Sequence, residues 1–369
     1  MPPLSVLIKP ASGNCNMKCR YCFYTDEQEN RKIFSHGIMS KDTMHTIINR
    51  ILTYGDHHCT LIFQGGEPTL AGLEFYEDMA EYIASCENPK RIKFSYAIQT
   101  NGYNIDETWA KFWAKHHYLV GVSLDGPKEI HDRYRKDAGG KGTFNRIMGA
   151  VRLLEKYHVE YNILTVVTAA SARSGQKIYN FFKKNNIHYQ QYIECLDPIG
   201  EIPGSQNYSL TPKKYETFLK SMFDAWYLDV KSGKPTYNRY FQNLLLILNG
   251  QLPESCNMRG VCGNQWVIEA DGSVYPCDFY ALDPWLLGNI QEDSFEEMNE
   301  RREELGFIRW SEQIHEDCKE CRWFMLCRGG CRRNREPVTI NSTGKNSFCS
   351  AYKGFFAYVY PRLVELYRT

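Results

Sequence analysis

Three cysteines, Cys15, Cys19 and Cys22, form a C-x3-C-x2-C run directly after the first predicted strand. A four-iron cluster has four corners. Three closely spaced thiolates hold three irons and leave the fourth without a protein ligand. An open coordination position is where chemistry at a metal takes place, as catalytic zinc sites also show. A zinc site at the same cysteines needs a fourth ligand, and His36 is the nearest histidine.

The rest of the composition narrows the class. Fourteen cysteines in 369 residues are too many for ordinary core use, and the chain is too long for a secreted disulfide scaffold. In a reducing compartment, clustered cysteines bind metal or do redox chemistry. Hydrophobic residues make up 43%, so a packed fold is expected. The net charge is +1, which gives no global field for nucleic acid or anionic lipid. The longest purely aliphatic run is Leu244–Leu248, far short of a membrane span, and the start lacks a signal-type pattern. Cytoplasmic residence, with no nucleic acid and no membrane partner, is the expectation.

The first half alternates strand-like and helix-like segments. Strands are predicted over Leu4–Lys9, Cys59–Phe63, Ile92–Gln99, Leu119–Leu124, Tyr161–Val167 and Tyr189–Glu194. Helices are predicted over Lys41–Leu52, Leu73–Ala84, Glu107–His116, Phe144–Tyr157 and Ser174–Asn185, with Ser40 and Asp106 as N-caps. Six strands separated by helices read as βα units of an α/β fold, a partial barrel whose catalytic groups gather at strand ends. The pattern changes near Thr211, so the expected domains are 1–210 and 211–369. The second holds helices near Pro212–Val230 and Tyr240–Leu248, then a hairpin at Gln265–Ala270 and Ser273–Tyr275 turned by Asp271-Gly272. Beyond it the chain reads as loop-rich and Cys-rich, closing on a helix around Tyr352–Tyr367.

Eight further thiols crowd this second part: Cys256, Cys262, Cys277, Cys318, Cys321, Cys327, Cys331 and Cys349. Eight is the number that closes every corner of two four-iron clusters. A pair of structural zinc sites is the alternative that Cys-x2-Cys spacing also allows. Cys59, Cys86 and Cys195 are left as small apolar residues.

With these residues in hand, the sequence resembles the radical S-adenosylmethionine (SAM) superfamily. Cys15, Cys19 and Cys22, with Tyr21 before the last, carry the resemblance. Gly65-Gly66-Glu67-Pro68 after the second strand continues it, as do Gln99-Thr100-Asn101-Gly102 and Ser123-Leu124-Asp125-Gly126-Pro127 after the third and fourth. The resemblance implies that the open iron chelates SAM and that an electron passed through the cluster releases a 5′-deoxyadenosyl radical. It further implies that Gly65, Gly66 and Glu67 hold the SAM amino group and that Gln99, Asn101 and Ser123 line its ribose and carboxylate. Arg135 and Arg146 are candidate carboxylate contacts, and Leu196 a candidate for packing on adenine. Solvated arginines and core packing are the plainer alternatives for these three.

The later cysteines resemble the SPASM extension of peptide-modifying members, with Tyr275-Pro276-Cys277, Leu287-Gly288-Asn289 and Gly329-Gly330 before Cys331. By that likeness Cys256, Cys262, Cys277 and Cys331 hold one auxiliary [4Fe–4S] cluster, and Cys318, Cys321, Cys327 and Cys349 the other. Spacing alone does not assign these groups. Nearly the whole chain is similar to the anaerobic sulfatase-maturating enzymes, through Ile8-Lys9-Pro10, Cys22-Phe23-Tyr24, Phe63-Gln64-Gly65-Gly66, Cys195-Leu196-Asp197-Pro198 and Cys277-Asp278-Phe279-Tyr280. That similarity implies three [4Fe–4S] clusters and oxidation of a cysteine or serine in a sulfatase Cys/Ser-x-Pro-x-Arg motif to Cα-formylglycine. Asp278 is then the base that removes the thiol or hydroxyl proton, and Tyr24 and Gln64 contact the substrate peptide. The implied partners are a sulfatase polypeptide and a low-potential electron donor such as a ferredoxin or flavodoxin.

Three rivals remain at this point. A related maturase could form thioether or carbon–carbon links in a ribosomal peptide, although Cys15 comes too early to leave room for a leader-binding domain before it. The others are a non-catalytic zinc-binding interaction protein and a simple electron carrier.

Overall fold

The computed structural model describes residues 4–234 and 236–368. In chain order the elements are β1 (Leu4–Ile8), α1 (Phe23–Glu29), α2 (Lys41–Tyr54), β2 (His58–Phe63), α3 (Leu73–Ser85), β3 (Lys93–Thr100), α4 (Glu107–Lys115), β4 (Leu119–Ser123), α5 (Lys128–Tyr134), α6 (Phe144–Lys156) and β5 (Glu160–Val167). They continue with α7 (Gly175–Lys184), β6 (Tyr189–Glu194), α8 (Pro212–Lys231), β7 (Tyr237–Asn238), α9 (Arg239–Leu248), β8 (Trp266–Ile268), β9 (Ser273–Tyr275), β10 (Gly288–Asn289) and α10 (Phe295–Glu304). The last are α11 (Phe307–Ser311), α12 (Glu316–Lys319), α13 (Phe324–Cys327) and α14 (Cys349–Arg368). The six strands and eight helices expected from the sequence are present, most with ends shifted by one or two residues.

The chain packs as two compact units, each discontinuous in sequence. One comprises residues 1–123, 132–161 and 264–305; the other comprises 124–131, 162–263 and 306–369. In the first, strands run in the order β10-β9-β8-β1-β2-β3-β4. Neighbours from β8 through β1, β2 and β3 to β4 pair in parallel. Only the hairpin strands at the β10 edge are antiparallel. β1 has a partner on each side, so four of its five residues are buried, as expected of a parallel strand covered on both faces. Ser40 caps α2 by accepting from Thr43 N, and Asp106 caps α4 by accepting from Thr108 N and Trp109 N.

The expected long loop after the hairpin is interrupted by α10. A capping box supplies its start, with Ser294 and Glu297 bonding each other's backbone. Its polar surface hides it from a periodicity search, because only Phe295, Met298 and Arg302 are buried. Arg302 is held by stacking on Trp266 at 3.9 Å and donating to Gln265 O at 2.9 Å.

The second unit carries the parallel strands β5-β6-β7. Its apolar centre is α8 against α14, with α7 and α9 beside α8 and β6, respectively. Phe223, Trp226, Phe241 and Phe355 stack there with ring centroids 5.0 to 6.1 Å apart. Among the described residues no helix is long and apolar enough to cross a membrane.

Candidate active site

In the first unit the strand ends converge as the βα reading requires. β1 runs into the loop that bears Cys15, and β2 into Gln64-Gly65-Gly66-Glu67. Two backbone bonds join these loops: Gly66 N to Ser12 O and Glu67 N to Asn14 O, both at 2.8 Å. The approach explains both glycines. Gly65 has φ +112, and a β-carbon on it would stand 2.6 Å from Ser12 O. A β-carbon on Gly66 would stand 2.1 Å from Asn14 O.

Glu67, which the resemblance gives a contact with the SAM amino group, is wholly buried, and its carboxylate is hydrogen-bonded within the protein. Oε1 accepts from Thr69 N at 3.1 Å, Thr69 Oγ1 at 2.7 Å and Thr100 Oγ1 at 2.8 Å; Oε2 accepts from Asn101 N at 2.7 Å. Burial pushes its pKa up, and these bonds hold it back. Glu67 therefore fastens the glycine turn to the end of β3. Nothing in this arrangement prevents the backbone carbonyls of Gly65 and Gly66 from taking an ammonium.

Asn101 reaches the cysteine loop, donating to Asn16 Oδ1 at 2.8 Å and lying 3.5 Å from Cys15 Sγ. Gln99 donates to Ser123 Oγ at 3.2 Å across the β3–β4 pair. Arg135 lies over the Tyr21 ring at 5.5 Å, with its guanidinium 3.9 Å from Cys19 Sγ. Arg146 is exposed, stacks on Tyr103 at 4.1 Å and donates to the Tyr103 carbonyl. Leu196 lies in the second unit, half-buried after β6.

The three residues predicted for substrate chemistry meet. Tyr24 comes from α1, Gln64 from the end of β2 and Asp278 from the turn after β9. Tyr24 Oη donates to Asp278 Oδ2 at 2.7 Å and Gln64 Nε2 donates to the same oxygen at 3.0 Å. Burial raises the Asp278 pKa while Lys9 pulls it down. Tyr24 is raised by burial and then by the neighbouring carboxylate.

Beneath them lies a buried charge group that sequence reasoning did not find. Lys9 Nζ is 2.7 Å from Glu27 Oε2, 3.5 Å from Glu269 Oε1 and 3.4 Å from Asp278 Oδ1. Arg31 bonds Glu269 at 2.5 Å. The available signal was Lys9 itself, a lysine set at the end of an apolar strand.

The cysteines fall into groups. None of the fourteen is joined in a disulfide. The Cys15 thiol is raised to about 12, by desolvation, then by Glu67, with Cys19 and Cys22 adding to it. In the second unit, Cys331 is raised to about 12 by burial, with Cys262 and Cys256 adding. Cys327 is raised to about 11 by burial, with Cys349, Cys318 and Cys321 adding. Electrostatic contact therefore sorts the thiols as Cys15/19/22, Cys256/262/331 and Cys318/321/327/349. Cys277 belongs to the first unit, beside Asp278. Among the described residues no three His, Cys, Asp or Glu side chains converge as a site for one metal ion, so the fit to polynuclear clusters rests on this grouping of soft thiol donors.

Arginines shape the second-unit loops where helices are short. Arg335 donates to Gly260 O at 2.9 Å and Ser311 O at 3.0 Å, and Arg332 to Phe307 O at 2.7 Å. Asn334, three residues after Cys331, donates to buried Glu194 at 2.8 Å. These bonds fix the cysteine-bearing backbone without regular structure.

Comparison with known proteins agrees with this geometry. The Radical SAM superfamily model matches residues 10–182, and the SPASM iron–sulfur cluster-binding domain model matches residues 256–322. The chain is 49% identical over 367 residues, 99% of each chain, to a cysteine-type anaerobic sulfatase-maturating enzyme of Clostridium perfringens. It is 31% identical to a serine-type anaerobic sulfatase-maturating enzyme of Bacteroides thetaiotaomicron, covering 97% of this chain and 90% of that one. The solved structure of native anSMEcpe with bound AdoMet and Cp18Cys peptide superposes with a TM-score of 0.93 at 48% identity, covering 100% of this chain and 99% of that one.

Proposed function

The chain belongs to the anaerobic sulfatase-maturating enzymes, and from that membership we infer that it oxidises a cysteine or serine in a sulfatase Cys/Ser-x-Pro-x-Arg motif to Cα-formylglycine. Its cofactors are SAM and iron–sulfur clusters, three [4Fe–4S] groups in all. Bound SAM, cleaved by one electron at the first cluster, supplies the radical that takes a hydrogen atom from the substrate carbon, and the auxiliary clusters supply a sink for the second electron.

The residue roles are our reading. Cys15, Cys19 and Cys22 hold the first cluster. Cys256, Cys262, Cys277 and Cys331 hold one auxiliary cluster, and Cys318, Cys321, Cys327 and Cys349 the other. Gly65, Gly66 and Glu67 receive the SAM amino group; Gln99, Asn101 and Ser123 line its ribose and carboxylate, Arg135 and Arg146 contact a carboxylate, and Leu196 packs on adenine. Tyr24 and Gln64 orient the substrate side chain. Asp278 accepts its thiol or hydroxyl proton as the substrate loses its second electron. A cysteine substrate leaves as a thioaldehyde, which water converts to the aldehyde with release of hydrogen sulfide. One observation carries the assignment of the base: Tyr24 and Gln64, from separate elements, both donate to one oxygen of Asp278.

A cysteine substrate is favoured by the higher identity to the cysteine-type relative, 49% against 31%. We further propose residues 1–210 and 211–369 as the catalytic and cluster-bearing segments, a ferredoxin or flavodoxin as electron donor, and residence in the cytoplasm, where thiols stay reduced.

The test is anaerobic reconstitution with SAM and a reductant, followed by mass spectrometry of a Cys-x-Pro-x-Arg peptide. Formylglycine is expected; a cross-linked peptide without aldehyde overturns the reading. Failure to release any 5′-deoxyadenosine would overturn it at an earlier step.

A further inference from the structure

Lys9 is 1% exposed and lies among three carboxylates that are all buried: Glu27, Glu269 and Asp278. Arg31 adds one more cation, bonded to Glu269. The group thus pairs two cations with three anions. A buried carboxylate needs partners, and one that must meet a substrate proton also needs a fixed direction.

The surroundings of Asp278 address that need from both sides. Tyr24 and Gln64 donate to Oδ2, whereas Oδ1 has the Lys9 ammonium 3.4 Å away. The same ammonium lies 5.0 Å from the centre of the Tyr24 ring, so it also supports the residue that orients Oδ2. Glu27 is turned toward Lys9 by its other oxygen, which accepts from Ala281 N at 3.0 Å, three residues after Asp278. Lys9 is therefore held on three sides and has little freedom to leave.

We propose that Lys9 is a positioning residue for Asp278: a fixed buried cation that anchors Oδ1 and so keeps Oδ2 aimed at the substrate. Lys9 touches neither cofactor nor peptide in this role. It acts through Asp278, and so the inference rests on the assignment of Asp278 as base. The neighbouring carboxylates raise the Lys9 pKa despite its burial, so the charge stays on the lysine. That permanence separates it from a proton relay, which would have to give the proton up.

The experiment compares Lys9→Met, Lys9→Arg and Asp278→Asn with the unsubstituted holoenzyme on one Cys-x-Pro-x-Arg peptide. It measures aldehyde and 5′-deoxyadenosine separately, together with KM for the peptide. For Lys9→Met we expect the ratio of aldehyde to 5′-deoxyadenosine to fall about tenfold with KM within about twofold, and for Asp278→Asn about a hundredfold. Lys9→Arg should restore most of the ratio. An unchanged ratio in Lys9→Met overturns the proposal, as does a parallel loss of SAM cleavage and peptide binding that Lys9→Arg fails to mend. Should Lys9→Met not fold, the double variant Lys9→Met with Glu27→Gln removes one charge of each sign and carries the same expectation. A normal ratio in Asp278→Asn would overturn the base assignment and this proposal together, while formylglycine would still be made. Absence of aldehyde from the unsubstituted enzyme would instead overturn the proposed function.

Discussion

Gln99 and Gly121 are register partners across β3 and β4, and a β-carbon on Gly121 would stand 2.1 Å from Gln99 Oε1. The space above the glycine is where the Gln99 amide lies while it donates to Ser123. Gly121→Ala should therefore displace Gln99. Overpacking of this kind costs about 1–3 kcal/mol, and SAM affinity should fall with it. Thermal unfolding and SAM titration of the reconstituted variant check both effects. Unchanged affinity would mean that Gln99 does not line the cofactor.

Tyr24→Phe removes a single hydroxyl from the proposed substrate site. Hydrogen bonds to charged groups are worth about 1.5–3 kcal/mol, and the bond to Asp278 is 2.7 Å long. Aldehyde formation should fall by about tenfold or more while SAM binding is kept. Steady-state turnover beside SAM titration separates the two. A wild-type rate would show that Gln64 alone suffices to orient Asp278.

Cys318→Ala tests the grouping of the outer thiols. The intact chain should carry about twelve irons, and the variant about eight, since one group of four ligands is broken. Cleavage of SAM should persist because Cys15, Cys19 and Cys22 are untouched. Iron and sulfide analysis with 5′-deoxyadenosine assay reads both. Retention of all twelve irons would exclude Cys318 from the ligand set.

His36 Nδ1 lies 2.9 Å from Asp271 in the β8–β9 turn. The hydrogen bond to Asp271 raises the His36 pKa above 6.5. Burial notwithstanding, His36 and the Ser273 backbone lower Asp271 below 3.8. The pair's contribution from histidine is complete below pH 6.5 and is lost as pH rises through the raised value. Its contribution from aspartate is complete above pH 3.8 and is lost as pH falls through the lowered one. Denaturant melts of wild type and His36→Gln should differ most between these limits and converge at alkaline pH, the gap staying within about 1 kcal/mol for a partly exposed pair. A gap that widens at alkaline pH would refute the pairing.

The βα half of the fold was legible because its signals are local. Ser40 and Asp106 marked helix starts, and the run Cys59–Phe63, rich in β-branched and aromatic residues, marked a strand that the structure extends to His58–Phe63. The turn proposed to bind SAM was legible from its glycines, each of which answers a contact that a side chain would break. The bonds of Glu67 were not legible, because sequence shows the residue but not that Thr69, Thr100 and Asn101 donate to its carboxylate. α10 was missed because its capping box sits before a largely polar segment. Lys9, Arg31, Glu27 and Glu269 were invisible as a group, since their partners are separated by up to hundreds of residues and only the folded sheet brings them together.

The pairing of β8 with β1 bears on any attempt to trim this enzyme. Trp266, Val267 and Ile268 lie alongside Val6, Leu7 and Ile8, and Leu7 shares a core cluster with Val267, Tyr275 and Ala281. A truncation ahead of β8 would lay bare the backbone edge of the founding strand, an invitation to aggregate. It would also remove Glu269, the carboxylate that Arg31 bonds, and leave Lys9 with Glu27 alone of its three carboxylates. Shortened radical-generating scaffolds built from this chain must therefore retain the hairpin, even where the auxiliary iron is dispensable.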